Sequence, residues 1–371
     1  MSPMIAGHAT AEGTAGYVQR FAGRLPAEHF RPLAGAHASS LGLGTYLGRE
    51  DAATDALYGR AVARALERGV NVLDTAINYR HQRSERAIGV ALAAAITGGL
   101  VRRDEVIVAT KGGYLAFDGE VPPDPRAYFL ATYVRPGIIQ RGEIVGSHCM
   151  APRYLRDQID RSRANLGLET IDVYYVHNPE SQLDEIGHED FRARLREAFA
   201  ALEAAGREGK LRVYGTATWN GYRVDPGEPG ALSLPELVEI AREVGGPDHR
   251  FRVVQLPYNL AMPEAFTRAN QKLDGGFFST LDVARHLGVY VMASASVLQG
   301  RLTQGLPAAF ADLVPDLATD AQRAIQFVRS TPGVGTALVG MKSVAHVEEN
   351  AAVAAVAPLA GEQVKRLFSE A

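Results

Sequence analysis

Four residue types that can move or stabilise a proton stand at the ends of short apolar runs. Asp74 closes the run Val72, Leu73; Tyr79 follows it; Lys111 ends residues 106–110 and His177 ends residues 171–176. Where parallel strands form a barrel or open sheet, the strand ends and the loops after them make the active face, so an acid and a phenol there are placed for chemistry. A tyrosine is a poor proton donor or acceptor near neutral pH because its ordinary pKa is about 10. A neighbouring lysine cation favours the phenolate and lowers that value. Burying the lysine requires a carboxylate beside it, a role open to Asp74. His177 offers a hydrogen bond that can orient or polarise a carbonyl oxygen. With no nucleophilic serine or cysteine nearby and no metal set, carbonyl reduction by a nicotinamide hydride is the reaction these residues suit best.

The elements that must position them follow a rhythm that starts near residue 39: a short β-branched run, a loop, then an amphipathic helix rich in Ala, Leu and Arg. Strands are expected to end near Thr45, Asp74, Lys111, His177, Ala217, Gln255, Ala293 and Gly340. Helices are expected over about 53–68, 84–97, 152–166, 189–208, 233–244, 279–287 and 319–330, with a last pair after Val344. Pro152 suits a first helical turn, while Gly69, Gly167, Gly209 and Gly288 suit the left-handed position past a helix end. Eight such units predict an α/β fold, a single (β/α)8 TIM barrel over residues 36–371. Residues 1–35 read as an N-terminal extension, with Tyr17, Val18 and Phe21 on one face of a short helix and no function expected there. A long insertion after strand 3, about 112–151, carries Tyr114, Phe117, Tyr128, Phe129 and Tyr133 among four prolines. Long aromatic loops at an active face are usually functional, so it is expected to wall or lid a substrate pocket with residues 225–233 and 292–306. Tyr114, Phe117, Tyr128, Trp219 and Asn220 are the candidate substrate contacts, for a substrate with a sizeable apolar or ring portion.

Bulk properties narrow the class further. In 371 residues, 46% are hydrophobic and 22% charged, with a net charge of −3. That charge leaves no footprint for nucleic acid or an anionic membrane. One cysteine, Cys149, excludes an internal disulfide and a multi-cysteine metal site. His148 beside it lacks a second ligand pair at suitable spacing, so no metal is expected. No signal peptide or membrane span is read, and a cytoplasmic protein, monomer or homo-oligomer, is expected.

The ordered set of residues resembles the aldo-keto reductases. The likeness rests on Asp74, Thr75, Ala76 and Tyr79; Ser84, Glu85 and Gly89; Thr110 and Lys111; Val176 through Pro179; Gly209, Lys210 and Gly215; Gln255, Tyr258 and Asn259; and Gly340 through Glu349 and Asn350. It runs from about residue 41 to the C-terminus. The resemblance implies a catalytic tetrad of Asp74, Tyr79, Lys111 and His177 with tyrosine as the acid, and an NADPH lying across the carboxyl face of the barrel. It implies that Gly44, Thr45, Tyr46 and Asp74 sit near the cofactor and that Gln255 grips its carboxamide, with Thr218 as a further cofactor contact. Ser294, Leu298, Gly300 and Gly340 are implied along its length. Lys342 and Ser343 fall where the 2′-phosphate would be held and Glu349 with Asn350 where the adenine would be, and His346 is a further implied cofactor contact. A cation at Lys342 is also what an extra phosphate would need, favouring NADPH over NADH. Either a carbonyl compound or its alcohol is then the small-molecule substrate.

The chain departs from that family in places. Ala217 and Thr218 stand where Ser-Asn is usual, and Ser294-Ala295-Ser296 replaces a segment whose tyrosine commonly stacks on the nicotinamide; Trp219 or Tyr258 is the candidate replacement. Neither Gly42 through Gly48 nor Gly333 through Gly335 has the dinucleotide fingerprint, so no Rossmann loop is expected. Two other readings stay open: a nucleotide-sensing module with little turnover, as in potassium-channel β subunits that look like reductases, and a TIM-barrel lyase or isomerase that would take up no NADPH.

Overall fold

Alternation along each short strand decides which side chains face the barrel axis. In the computed structural model, which describes residues 4–369, Val72 belongs to the interior cluster and Leu73 packs outward against the helices. The next step of the pleat turns Asp74 inward. Ile107 and Ala109 lie inside and Val108 outside, carrying Lys111 inward; Val173 and Tyr175 lie inside and Tyr174 and Val176 outside, carrying His177 inward. One period of two thus aims three polar side chains at the same axis.

The strands that do this are β1 (Leu41–Gly44), β2 (Val72–Asp74), β3 (Ile107–Gly112), β4 (Ile171–His177), β5 (Leu211–Ala217), β6 (Phe251–Pro257), β7 (Tyr290–Ser294) and β8 (Thr336–Gly340). All are parallel, each pairs with the next, and β8 returns to β1, closing a (β/α)8 TIM barrel. Every expected strand is present. The helices between them include Ala52–Glu67, Arg83–Thr97, Pro152–Leu166, His188–Arg207, Leu234–Gly245, Thr280–His286, Asp320–Ser330 and Val344–Ala351. Asp51, Ser233, Ser279, Thr319 and Ser343 accept first-turn amide protons and fix several of their starts. Gly167, at φ 66°, ends Pro152–Leu166 in the left-handed conformation. No described helix is long and apolar enough to cross a membrane.

Two hairpins were not expected from the sequence. Phe30–Leu33 and Ala36–Ser39 pair antiparallel, and Leu33, Ala36 and Ala38 join the interior cluster. The hairpin therefore plugs the amino end of the barrel, and it runs across residue 35, so extension and barrel share an element. Its turn puts Ala34 at φ 47° and Gly35 at φ 88°, a two-residue left-handed connection that matches strand twist. The second hairpin, Ala269–Leu273 with Gly276–Ser279, turns on Asp274 and Gly275. The short helix Ala11–Gln19 buries Tyr17, whose hydroxyl donates to the Leu66 carbonyl at 2.6 Å.

The insertion folds on itself. Tyr133, Ile139, Cys149 and Tyr154 form a small core, with Tyr128 and Phe129 packed on it. Phe117 stacks on Phe129 at 4.9 Å between ring centroids.

Candidate functional site

At the carboxyl ends of the strands lies a cavity of about 890 Å³, bordered by Asp74, Tyr79 and His177 at its floor and by Lys342, His346, Glu349 and Asn350 at its far end. Lys111 lies beneath the floor, fully buried. Its Nζ donates to Asp74 Oδ2 and to the Thr75 carbonyl, each at 2.7 Å. Asp74 Oδ1 accepts from Gln255 Nε2 at 2.8 Å. Both oxygens of the aspartate are thus engaged, and the ammonium has a fixed seat.

That seat changes the electrostatics expected of the tyrosine. Lys111 Nζ sits over the face of the Tyr79 ring, 4.9 Å from its centroid. Desolvation, followed by the Asp74 carboxylate and by Tyr46 and Tyr114, pushes Tyr79 well above its ordinary value rather than below it. The expectation that the lysine lowers Tyr79 is corrected: burial, the Asp74 carboxylate and the neighbouring phenols set the direction, and the Lys111 ammonium lies over the ring face. Burial holds Lys111 below its ordinary value, and Asp74 opposes that shift. His177 is held well below its ordinary value by burial first, then by Lys111 and His148, so its imidazole is neutral. The site therefore holds a protonated phenol beside a neutral imidazole, with charge confined to one buried pair.

The backbone after Tyr79 is unusual. Arg80, His81 and Gln82 all have left-handed φ, at 49°, 53° and 71°. Non-glycine residues hold such conformations only where the surroundings insist. Arg80 donates to the Arg49 carbonyl at 2.7 Å and to Asp55 Oδ1 at 2.6 Å. Gln82 Nε2 donates to the Phe117 carbonyl at 2.8 Å, and the His81 carbonyl accepts from the Gly119 amide at 2.8 Å. The Tyr79 ring packs edge-on with Tyr46 at 5.1 Å and with His177 at 5.8 Å.

Of the residues expected to border the cofactor, Gly44, Thr45, Tyr46, Asp74, Thr218, Gln255, Ser294, Gly300, Gly340, Lys342, His346, Glu349 and Asn350 line the cavity. Leu298 and Ser343 are not on its wall. Ser343 is used as a cap, accepting from the His346 amide at 3.3 Å, and Leu298 is held in a left-handed turn whose amide donates to the Ala295 carbonyl at 2.7 Å. Of the expected substrate contacts, Tyr114 and Trp219 line the cavity. Phe117 and Tyr128 do not, because they pack on each other and on Phe129 within the insertion. Asn220 is exposed beside the mouth. Tyr258 is excluded as a stacking ring: it is fully buried, stacked on Phe327 at 5.6 Å, with its hydroxyl bonded to Thr331. Trp219, 43% exposed, is the remaining candidate. Gln255 reaches the cavity, but its amide nitrogen is committed to Asp74.

Asn78 and Glu180 went unnoticed in the sequence, and Asn178 was read only as part of the stretch 176–179, not as a site residue. Asn78 and Asn178 line the cavity, and Asn178 Nδ2 donates to the Tyr114 hydroxyl at 3.1 Å. Their positions, directly beside Tyr79 and His177, were the available signal. Glu180 is buried, and its Oε1 accepts the amide protons of Trp219 at 2.6 Å and Asn220 at 3.2 Å. Burial pushes this carboxyl up to about 7. The folded protein then keeps a proton that the unfolded chain releases near the ordinary value of 4.5, so the stability linked to Glu180 falls as pH rises towards 7. Since the chain has one tryptophan, its emission reports this loop alone. It is expected to titrate with a midpoint near 7, and the transition should vanish in Glu180→Gln; a titration surviving that change would assign it elsewhere.

Three features bear on what the cavity can hold. Its volume lies within the roughly 300–1,000 Å³ of small-molecule and cofactor sites. Lys342 makes no ion pair among the described residues although it lines the cavity, and Asn78 Oδ1 and His177 Nδ1 are buried with no partner among those residues. A cation at one end and unsatisfied polar atoms at the other suit a long, anionic, polar-headed ligand. Among the described residues no three histidine, cysteine or acidic side chains converge as a metal cage.

Comparison with known proteins finds the family model described as Aldo/keto reductase family matching residues 40–308. Similar curated proteins include a 6-dehydroglucose reductase of Novosphingobium aromaticivorans, 28% identical over 221 residues, covering 56% of this chain and 59% of that protein. A D-threo-aldose 1-dehydrogenase of a Pseudomonas species is 30% identical over 154 residues, covering 41% of this chain and 40% of that protein. The matched stretches thus span about half the length of these relatives. Among solved structures, the glycerol dehydrogenase of Gluconobacter oxydans aligns with a TM-score of 0.65 at 20% identity, over 93% of this chain and 95% of that one. An aldo/keto reductase of Klebsiella pneumoniae in complex with NADP and acetate aligns with a TM-score of 0.60 at 21% identity, over 92% and 95%.

Proposed function

This chain belongs to the aldo/keto reductase family, and we propose that it is an NADPH-dependent oxidoreductase interconverting a carbonyl compound and its alcohol, with Tyr79 as the general acid. The observation that carries this reading is the convergence of Tyr79, the Lys111–Asp74 pair and a neutral His177 on the floor of one cavity. NADPH, when bound, supplies a hydride to the carbonyl carbon. Tyr79 gives its hydroxyl proton to the oxygen, and the phenolate left behind is compensated by Lys111. His177 steers the carbonyl oxygen towards that proton. Because Tyr79 sits above its ordinary value, the phenol is loaded for reduction through the neutral pH range. Asp74 keeps Lys111 charged, and Gln255 keeps Asp74 in place.

The far end of the cavity suits the rest of the cofactor, with Lys342 and His346 on the 2′-phosphate and Glu349 and Asn350 on the adenine. Lys342→Ala is expected to weaken NADPH binding roughly five- to tenfold, as befits an exposed charge, with NADH binding nearly unchanged. A fluorescence titration with both nucleotides decides this; equal loss for the two would remove Lys342 from the phosphate.

Trp219 and Tyr46 present exposed rings at the mouth, while Asn78 and Asn178 offer amides below them. Rings above amides suit a cyclic polyhydroxylated substrate, and the names of the related sugar-acting enzymes point the same way. The test follows NADPH oxidation with a panel of aldoses, ketoses and aryl aldehydes. Turnover of none of them, with NADPH bound, would replace the enzyme reading by a sensing one.

A further inference from the structure

The insertion contributes Tyr114 to the cavity wall, and a second of its residues is held where it can act on the site. His148 is buried and lies directly behind His177. Its Nε2 is 2.7 Å from the His177 carbonyl, and its Nδ1 is 2.9 Å from Gln182 Nε2. Arg194 donates to Gln182 Oε1 at 3.1 Å. Because a guanidinium only donates, Gln182 Oε1 is the acceptor, Gln182 Nε2 is the donor, and His148 Nδ1 must accept. The remaining proton of His148 is then on Nε2 and points at the His177 carbonyl. Burial lowers His148 to about 4, so this tautomer holds through the neutral range.

The backbone is built for this contact. Residues 113–115 pair with 147–149 through the Leu115 amide to the Ser147 carbonyl at 2.9 Å and the Cys149 amide to the Gly113 carbonyl at 2.8 Å. Gly113 has φ 139°, and a Cβ there would stand 2.5 Å from His148 Nε2. Tyr114 packs edge-on against both rings, 5.4 Å from His148 and 5.1 Å from His177. The other limb of the same insertion holds the strained turn after Tyr79, through the Phe117 carbonyl and the Gly119 amide.

We infer that His148 is a positioning residue for His177, and that the insertion is a brace spanning the two sides of the site, with one limb on the His177 carbonyl and the other on the Tyr79 turn. The inference rests on the reductase reading for the consequence of the brace, but not for its existence. A hydrogen bond to the strand-end carbonyl fixes where the His177 backbone, and so its ring, stands when β4 gives way to the Asn178 turn. Support one bond removed from a reacting group typically matters about 10- to 100-fold.

Two substitutions separate the bond from the packing. An asparagine amide reaches about as far as Nδ1, so His148→Asn keeps the Gln182 contact and drops the His177 contact. A glutamine amide reaches about as far as Nε2, so His148→Gln does the reverse. With NADPH and 4-nitrobenzaldehyde, His148→Asn is expected to lower kcat by about 10- to 100-fold, with the NADPH Kd within about twofold of wild type. His148→Gln should recover kcat to within about threefold. Nitrogen-15 spectra of the histidine rings give a readout free of turnover: the His177 signals should move in His148→Asn and stay in His148→Gln. Variants that match each other, both active or both impaired, would overturn the brace, as would unmoved His177 signals in His148→Asn. If the wild type reduces no carbonyl compound, the reductase reading falls and the ring spectra alone decide the brace.

Discussion

Tyr79→Phe is expected to lower turnover by about 10²- to 10⁴-fold, the usual worth of a general acid, while the NADPH Kd stays within about twofold. The structural cost should be small because the ring survives. Its edge-on contacts with Tyr46 and His177 need no hydroxyl, and a phenylalanine face still accepts the Lys111 ammonium that sits 4.9 Å from the centroid. Only the proton is lost. The measurement is kcat at saturating NADPH for the best substrate of the panel, with the thermal midpoint as the control for folding. Turnover near wild type would take the acid role from Tyr79. The pH profile adds an independent check. Desolvation and Asp74 raise the tyrosine above its ordinary value, so the reductive rate should show no loss from Tyr79 below about pH 10. A descending limb with a neutral midpoint, absent in Glu180→Gln, would belong instead to the carboxyl at about 7 behind the Trp219 loop.

The same residues show what could be read ahead of the structure and what could not. β2, β3 and β4 were legible because apolar residues alternate with residues that must face either the axis or the helices, and the polar residue at each end keeps the parity. The hairpin at residues 30–39 was not, because its turn is Ala34-Gly35 and alanine gives no left-handed signal. The one at residues 269–279 carries Asp274-Gly275, a recognised hairpin pair whose signal was present but missed. Within the insertion, composition pointed to function, yet Phe117 and Tyr128 turned inward on each other; sequence alone does not say whether aromatic rings meet a ligand or one another. His148 was weighed only as a metal ligand, and its contact with the His177 carbonyl escaped for a related reason, since that partner is distant in the chain and belongs to the backbone. The sign of the Tyr79 shift depends on whether the ammonium meets the hydroxyl or the ring, which only coordinates distinguish.

Lys111→Met should destabilise the fold as well as stop the chemistry, and the two effects can be pulled apart. The lysine is fully buried, and its ion pair with Asp74 is nearly so. Removing one partner of a buried pair commonly costs about 3–5 kcal/mol, because the other charge is left without compensation. In Lys111→Met the Asp74 carboxylate keeps only Gln255 among its present side-chain partners. Adding Asp74→Asn removes the stranded charge while its remaining oxygen still accepts from Gln255. The double variant is therefore expected to regain about half or more of the lost stability in a denaturant titration. Turnover should not return with it. Tyr79 would then have no cation to compensate the phenolate formed as its proton leaves, and rates about 10²-fold or more below wild type are expected. Recovery of stability and turnover together would mean that Lys111 serves the fold alone, and the proton transfer would need another source of positive charge.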